Sequence, residues 1–146
     1  QRIDVNFYVV GSKVTDEIKA LEQPGSGIIV KGFVTEEELA SLYSTSRIVV
    51  VPLRYGAGVK GKVVEAVYNG AAIVTTSIGA EGIPEAGDIM RIADEPEDFA
   101  GAGGSLYNDP DTCAAMCRKT QAYIREHFSV DAAWKVIEED FTRQER

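Results

Sequence analysis

Arg47-Ile-Val-Val-Val-Pro-Leu-Arg-Tyr-Gly-Ala-Gly-Val-Lys-Gly-Lys-Val-Val-Glu-Ala-Val-Tyr-Asn-Gly70 decides how this chain is read. Ile48 to Val51 is an uninterrupted apolar run of strand length. The glycines at 56, 58 and 61 make a turn, and Lys62 to Asn69 carries the spacing of an amphipathic helix that closes at Gly70. Arg54, Lys60 and Lys62 fall within nine residues that hold no acid, in a protein whose formal net charge is −8. Glycines let the backbone approach an anion closely, and the first amides of a helix point the positive end of its dipole at one. An acidic chain that turns basic at a strand–glycine–helix junction is most simply built to hold a phosphate group.

The composition sets the frame for that motif. With 146 residues, 45% of them hydrophobic, the chain can form one domain with a proper core. The acidic balance argues against nucleic acid as a partner. No apolar run reaches the ~20 residues of a transmembrane segment, and no signal-peptide pattern is present. A cytoplasmic protein, or one peripheral to a membrane, is expected. Cys113 and Cys117, four apart on an expected helix, read as two reduced thiols, because a metal site needs more ligands than these two and the lone His127 supply. A strand pattern begins almost at Gln1, so residues 1–146 are expected to be one domain excised from a longer protein.

Strand and helix signals alternate along most of the sequence. Ile3 to Val10 reads as a strand, Val14 to Leu21 as a short helix and Gly27 to Lys31 as a second strand that turns at Gly32-Phe33. Thr35-Glu36-Glu37-Glu38 is a capping box, and the helix it opens carries Leu39, Leu42 and Tyr43 on one side. Ile48 to Pro52, Ala72 to Thr75 and Asp88 to Ile92 read as three more strands. A short helix is expected from Asp94, Glu95 and Glu97, weakened at its end by Gly101, Gly103 and Gly104. Asp109-Pro110 opens a helix to about His127, and Ser129 caps a last one carrying Ala133, Trp134, Ile137 and Phe141. Short apolar strands joined by helices imply an α/β fold: a doubly wound, Rossmann-like parallel sheet with helices on both faces and a C-terminal helical segment. The expected strand order is 2-1-3-4-5. In such sheets ligands bind outside the carboxyl ends of the strands, where the glycines of the opening motif stand.

Gly56-Ala-Gly58-Val-Lys-Gly61 is also a literal G-x-G-x-x-G, which keeps a dinucleotide-binding domain of an NAD(P)-dependent oxidoreductase in competition. Against it, the motif follows the third strand instead of opening the domain, and Thr75, Thr76 and Ser77 stand where an acid belongs at the end of the next strand. A receiver domain would need acids at Gly11-Ser12 and a phosphorylatable Asp near Leu53-Arg54, and has neither. Glu65 has two readings, a solvated carboxylate paired with Lys62 three residues earlier, or an acceptor for ribose hydroxyls beside a phosphate site. Asp109-Pro110-Asp111 opens a helix instead of ending a strand, so it reads as a cap and not as a metal site.

The assembled pattern P-L-R-x-G-A-G-x-K-x-K-x-x-E-A-x-x-x-G-A-x-I-V-T-T-x-x-G-A-E-G, together with Val30-Lys-Gly-Phe-Val34, Leu42-Tyr43 and Phe128-Ser129, resembles the C-terminal domain of family-4 retaining glycosyltransferases of the GT-B fold. The resemblance implies a hexosyltransferase of polysaccharide biosynthesis in which this domain binds a nucleoside-diphosphate sugar. A separate N-terminal domain of the same chain would bind the acceptor, without a metal or other cofactor. By position, Glu65 matches the glutamate that holds the ribose, Gly58, Val59, Lys60 and Lys62 lie where the diphosphate is bound, and Gly32 and Phe33 match the turn beside the base. Arg54 and Gly56 complete the candidate donor site, and no residue is assigned as catalytic. Two departures stand out. Many members carry a second glutamate eight positions before the ribose glutamate, where this chain has Ala57. The family's opening strand–helix unit, with an Arg and a Lys that grip the diphosphate, would lie upstream of Gln1. Because its strand would normally sit between the first and third strands here, that junction is expected to be closed up or visibly defective. Residues 1–146 are therefore expected to be a partial donor domain, inactive by itself. A module that binds nucleotide without catalysis also stays open.

Overall fold

A computed structural model of the protein describes residues 4–128. Along them run β1 (Phe7–Val10), α1 (Asp16–Lys19), β2 (Ile28–Gly32), α2 (Glu36–Thr45), β3 (Val49–Val51), α3 (Gly61–Tyr68), β4 (Ile73–Thr75), α4 (Ser77–Ala80), α5 (Ala86–Ile89), β5 (Met90–Ile92), α6 (Pro96–Asn108) and α7 (Pro110–His127). This is an α/β fold, and every strand pairing in it is parallel. The chain divides between Thr45 and Ser46 into two compact units. Its strands form two ladders, β1-β2 and β3-β4-β5, in place of one continuous sheet of order 2-1-3-4-5. Among the described residues no ladder joins β1 to β3, the junction expected to be closed up or defective. Within each ladder the neighbours follow the expected order. Apolar patterning marks which segments are strands, but it carries no signal for where a ladder breaks.

In the first unit Phe7 pairs with Ile28, and an irregularity after Val9 brings Val10 opposite Gly32. The capping box forms as expected. Glu38 Oε2 accepts from the Thr35 amide at 2.9 Å, and the Glu38 amide donates to Thr35 Oγ1 at 3.2 Å. That backbone bond from Thr35 holds the Glu38 carboxyl below its ordinary range. None of residues 4–45 is fully buried, and Leu39, Leu42 and Tyr43 are only half-buried.

The second unit is built around β4. Residues 71–76 are all buried, with Ile73, Val74 and Thr75 at 0% exposure. Val74 lies in register with Val50, and with Ala72 it packs among Leu106, Cys113 and Met116 from α6 and α7. Ile73 and Thr75 point the other way, and α3 packs on β3 and β4 through its buried Val63, Ala66 and Val67. Both faces of the ladder are therefore covered, which is why these strands read as continuous apolar runs. The Cys113 thiol donates to the Arg47 carbonyl at 3.2 Å, and burial, with Cys117 beside it, pushes its pKa up. Both cysteines are free thiols.

Several boundaries differ from those read in the sequence. β1 begins at Phe7, and Ile3 lies outside the described residues, as does the last helix expected after Ser129. Residues 88 and 89 belong to α5, so β5 is three residues long. The largest correction concerns α6, which runs through all three glycines to Asn108. Its Phe99, Ala102 and Leu106 dock on β4 and α7, and this tertiary packing overrides a weak local propensity.

Gly101 on α6 is exposed, and a Cβ placed there meets nothing within 4 Å. Gly101→Ala is therefore expected to raise stability by about 0.5–1 kcal/mol through helix propensity alone. The measurement is the urea midpoint at constant m-value. A lowered midpoint would show that position 101 needs glycine for a reason other than helix formation.

Candidate functional site

The carboxyl ends of β3, β4 and β5 are stitched together by side chains at the strand ends and in the short loops that follow them. Thr75 Oγ1 donates to Val51 O at 2.9 Å, and Thr76 Oγ1 donates to Leu53 O at 2.6 Å. Thr76 also caps α4 by accepting from the Gly79 amide at 3.1 Å. Ser77 donates its amide and its hydroxyl to Asp94 Oδ1, at 2.8 and 2.9 Å. Together these bonds fix the point from which residues 52–60 leave β3.

That segment is the glycine turn. Gly56 (φ 123°) and Gly58 (φ 71°) occupy backbone conformations that side chains rarely adopt, so the turn has the shape it has because glycine stands at both. Lys60 is extended (φ −96°, ψ 116°) and is the N-cap residue of α3, yet it supplies no side-chain cap. The first turn of α3 contains no acid. Elsewhere Thr15, Thr35, Thr76 and Asp109 cap α1, α2, α4 and α7 with their own side chains. Asp109, read as a cap from the sequence, accepts from the Thr112 amide at 3.0 Å. The start of α3 thus combines an uncapped set of amides with a positive dipole end.

The remaining candidates sort by exposure. Arg54 and Lys62 are exposed and make no ion pair among the described residues. Glu65 lies one turn into α3 on the exposed side of the helix, which it shares with Lys62 and Tyr68. The sequence left its pairing with Lys62 open, and among the described residues no ion pair joins them. Val59 is 57% exposed. Lys60 differs from the other cations. Its ammonium donates to the carbonyl of Gly58 and pairs with Glu81 Oε2 at 3.0 Å, and its side chain is only 10% exposed. Glu81 was not among the candidate site residues read from the sequence, although it stands in the quoted pattern as the E of G-A-E-G. Its signal was its place in the Gly79-Ala-Glu-Gly82 stretch, close behind the capped start of α4.

Arg54, Gly56, Gly58, Val59, Lys60, Lys62 and Glu65 therefore lie on one continuous segment at the carboxyl end of β3. Gly32 and Phe33 stand at the carboxyl end of β2 in the other unit, where Gly32 ends the strand at φ 66° and Phe33 is 79% exposed. Among the described residues no helix is long and apolar enough to cross a membrane.

Parallel strands with a glycine turn and an open helix start at their carboxyl ends describe a Rossmann-like α/β architecture. Residues 1–109 match the family described as Glycosyl transferases group 1, and the chain belongs to that family. It is also 31% identical over 103 residues to an uncharacterized 44.6 kDa protein in the cps region of Klebsiella pneumoniae. That alignment covers 66% of this chain and 26% of the relative, so the chain spans about a quarter of the relative's length. Both the glycine turn and Glu81 fall inside the family match, which gives no support to the oxidoreductase alternative.

The stitching of the strand ends can be probed at Thr76, which is 7% exposed. Thr76→Val removes the cap of α4 and the bond to Leu53 O together, and is expected to lower stability by about 1–2 kcal/mol. Thr76→Ser keeps the hydroxyl and is expected to avoid most of that loss. Thermal melts of the two variants decide the point, and equal melting temperatures for Val and Ser would remove the hydroxyl from the account.

Proposed function

We propose that this chain is the donor-binding part of a retaining glycosyltransferase and takes a nucleoside-diphosphate sugar at the glycine turn. The observation that carries the reading is the start of α3. It is an uncapped, acid-free helix N-terminus entered from two left-handed glycines, with Lys60 and Lys62 at its first positions and, one turn further on, an exposed Glu65 that makes no ion pair among the described residues. Amides and lysines suit a diphosphate, and a carboxylate one turn away suits the hydroxyls of a ribose. As the glycosidic bond to the donor breaks, charge grows on the leaving diphosphate. Donors already fixed around it stabilise that charge without reorganising.

The acceptor would be bound by a further domain of the same polypeptide, and residues 1–146 would be a partial donor domain without its opening strand–helix unit. Two facts support this: none of residues 4–45 is fully buried, and the chain spans only about a quarter of the relative's length. Transfer to a growing polysaccharide, without a metal and on the cytoplasmic side, is the setting we propose. A relative that sits in a cps region is in keeping with it.

The test is calorimetric titration of the full-length protein with ribonucleoside diphosphates, the matching nucleosides and 2′-deoxy analogues. Lys60→Ala with Lys62→Ala is expected to weaken diphosphate binding by about 1–2 kcal/mol, roughly five- to thirtyfold, and nucleoside binding much less. That figure is discounted because Lys62 is exposed. Glu65→Gln is expected to do the reverse, narrowing the preference for ribose over deoxyribose. Affinities unchanged in both variants would reduce the basic turn to a solvated helix start.

A further inference from the structure

Lys60 is not simply one more cation at the turn. Its aliphatic stem folds back over Gly56, where a Cβ would lie 3.0 Å from Lys60 Cε, and its ammonium is shared between the Gly58 carbonyl and Glu81. Glu81 is carried there by a well-defined element. α4 is capped by Thr76, with Gly79 and Ala80 buried. The next residue, Gly82 (φ 78°), lies so near Val59 that a Cβ would come within 2.6 Å of Val59 Cγ2. The segment after β4 is thus pressed against the glycine turn, and it presents a carboxylate to the turn's most enclosed cation.

The two partners are unequally placed. The Lys60 side chain is 10% exposed and that of Glu81 52%. Glu81 can return to water at little cost, whereas an enclosed ammonium left without a partner is strongly disfavoured. Only another anion releases Glu81 cheaply, and it must outbid a carboxylate already in place. A diphosphate does so because it brings more charge and more acceptor oxygens to the same donors. A singly charged anion has no such advantage.

We propose that Glu81 is a displaceable internal counter-ion that holds the Lys60 ammonium until a diphosphate takes its place, and that it tunes the turn to polyvalent phosphates over simple anions. The proposal rests on the reading of the glycine turn as a diphosphate site. Binding exchanges one ion pair for another, so Lys60 is never left bare.

The experiment is a double-mutant cycle in the full-length protein with E81Q, K60M and the double variant. Each would be titrated calorimetrically with inorganic pyrophosphate, with acetate and with ribonucleoside diphosphates, after circular dichroism has confirmed the fold. E81A serves as a second charge-removing variant. Pyrophosphate is expected to bind E81Q about three- to tenfold more tightly than the unaltered protein, with acetate binding now measurable. In the K60M background the same substitution is expected to change pyrophosphate affinity less than twofold. Equal or weaker binding by E81Q and E81A, while Lys62→Ala still weakens binding, would overturn the counter-ion role and leave the diphosphate site standing. An undiminished gain in K60M would also overturn it, since Glu81 would then act by simple repulsion. If no form binds pyrophosphate or any nucleoside diphosphate, the site itself is refuted and this proposal falls with it.

Discussion

β4 is buried on both faces and flanked on both edges, and the architecture of the second unit follows from that. A central strand so enclosed has no water to satisfy polar groups at its end, so Thr75 and Thr76 must find acceptors inside the protein. They find the carbonyls of Val51 and Leu53, the residues at which β3 ends and the loop begins. Solvation of one strand thereby dictates where the neighbouring loop departs. The glycine turn inherits its position from hydrogen bonds made before the turn begins.

Charge is handled in two different ways within a few residues of one another. Lys62 and Arg54 project into solvent, where a cation costs little and attracts weakly. Lys60 is drawn in, and its enclosure is made tolerable by a backbone carbonyl and a carboxylate from the following loop. The helix start beside it has neither a cap nor an acid. Every other α-helix whose first turn carries no acid, among the described residues, is the four-residue α4, and that one is capped by Thr76. The concentration of positive groups at the start of α3, with Glu81 as counter-ion to Lys60, is thus a local feature of an otherwise acidic protein.

Much of this was legible in the sequence. The run Ile48–Val51, the glycines, the helix through Tyr68 and the capping box at Thr35 were all readable, because each is encoded by neighbours within a few residues. What escaped depends on residues far apart. The Lys60–Glu81 pair spans 21 positions and exists only because the loops after β3 and β4 lie side by side. The short β5 is likewise a tertiary outcome, without a local signature in alternating apolar residues, whereas the break between the ladders lies at the junction where the family resemblance led us to expect a defect. Lys60 and Lys62 looked equivalent in the sequence, and only burial separates them.

The course of α6 carries a consequence for how the protein assembles. Its three glycines, at 101, 103 and 104, each cost about 1 kcal/mol of helix propensity relative to alanine. A thirteen-residue segment with that handicap has little helical content as an isolated peptide. It becomes a helix only when Phe99, Ala102 and Leu106 find Val74 and Ala72, which requires the β3–β4 pairing to exist already. The sheet is therefore the support on which the stability of α6 depends. Its amides gain protection from hydrogen exchange only together with the strands beneath them.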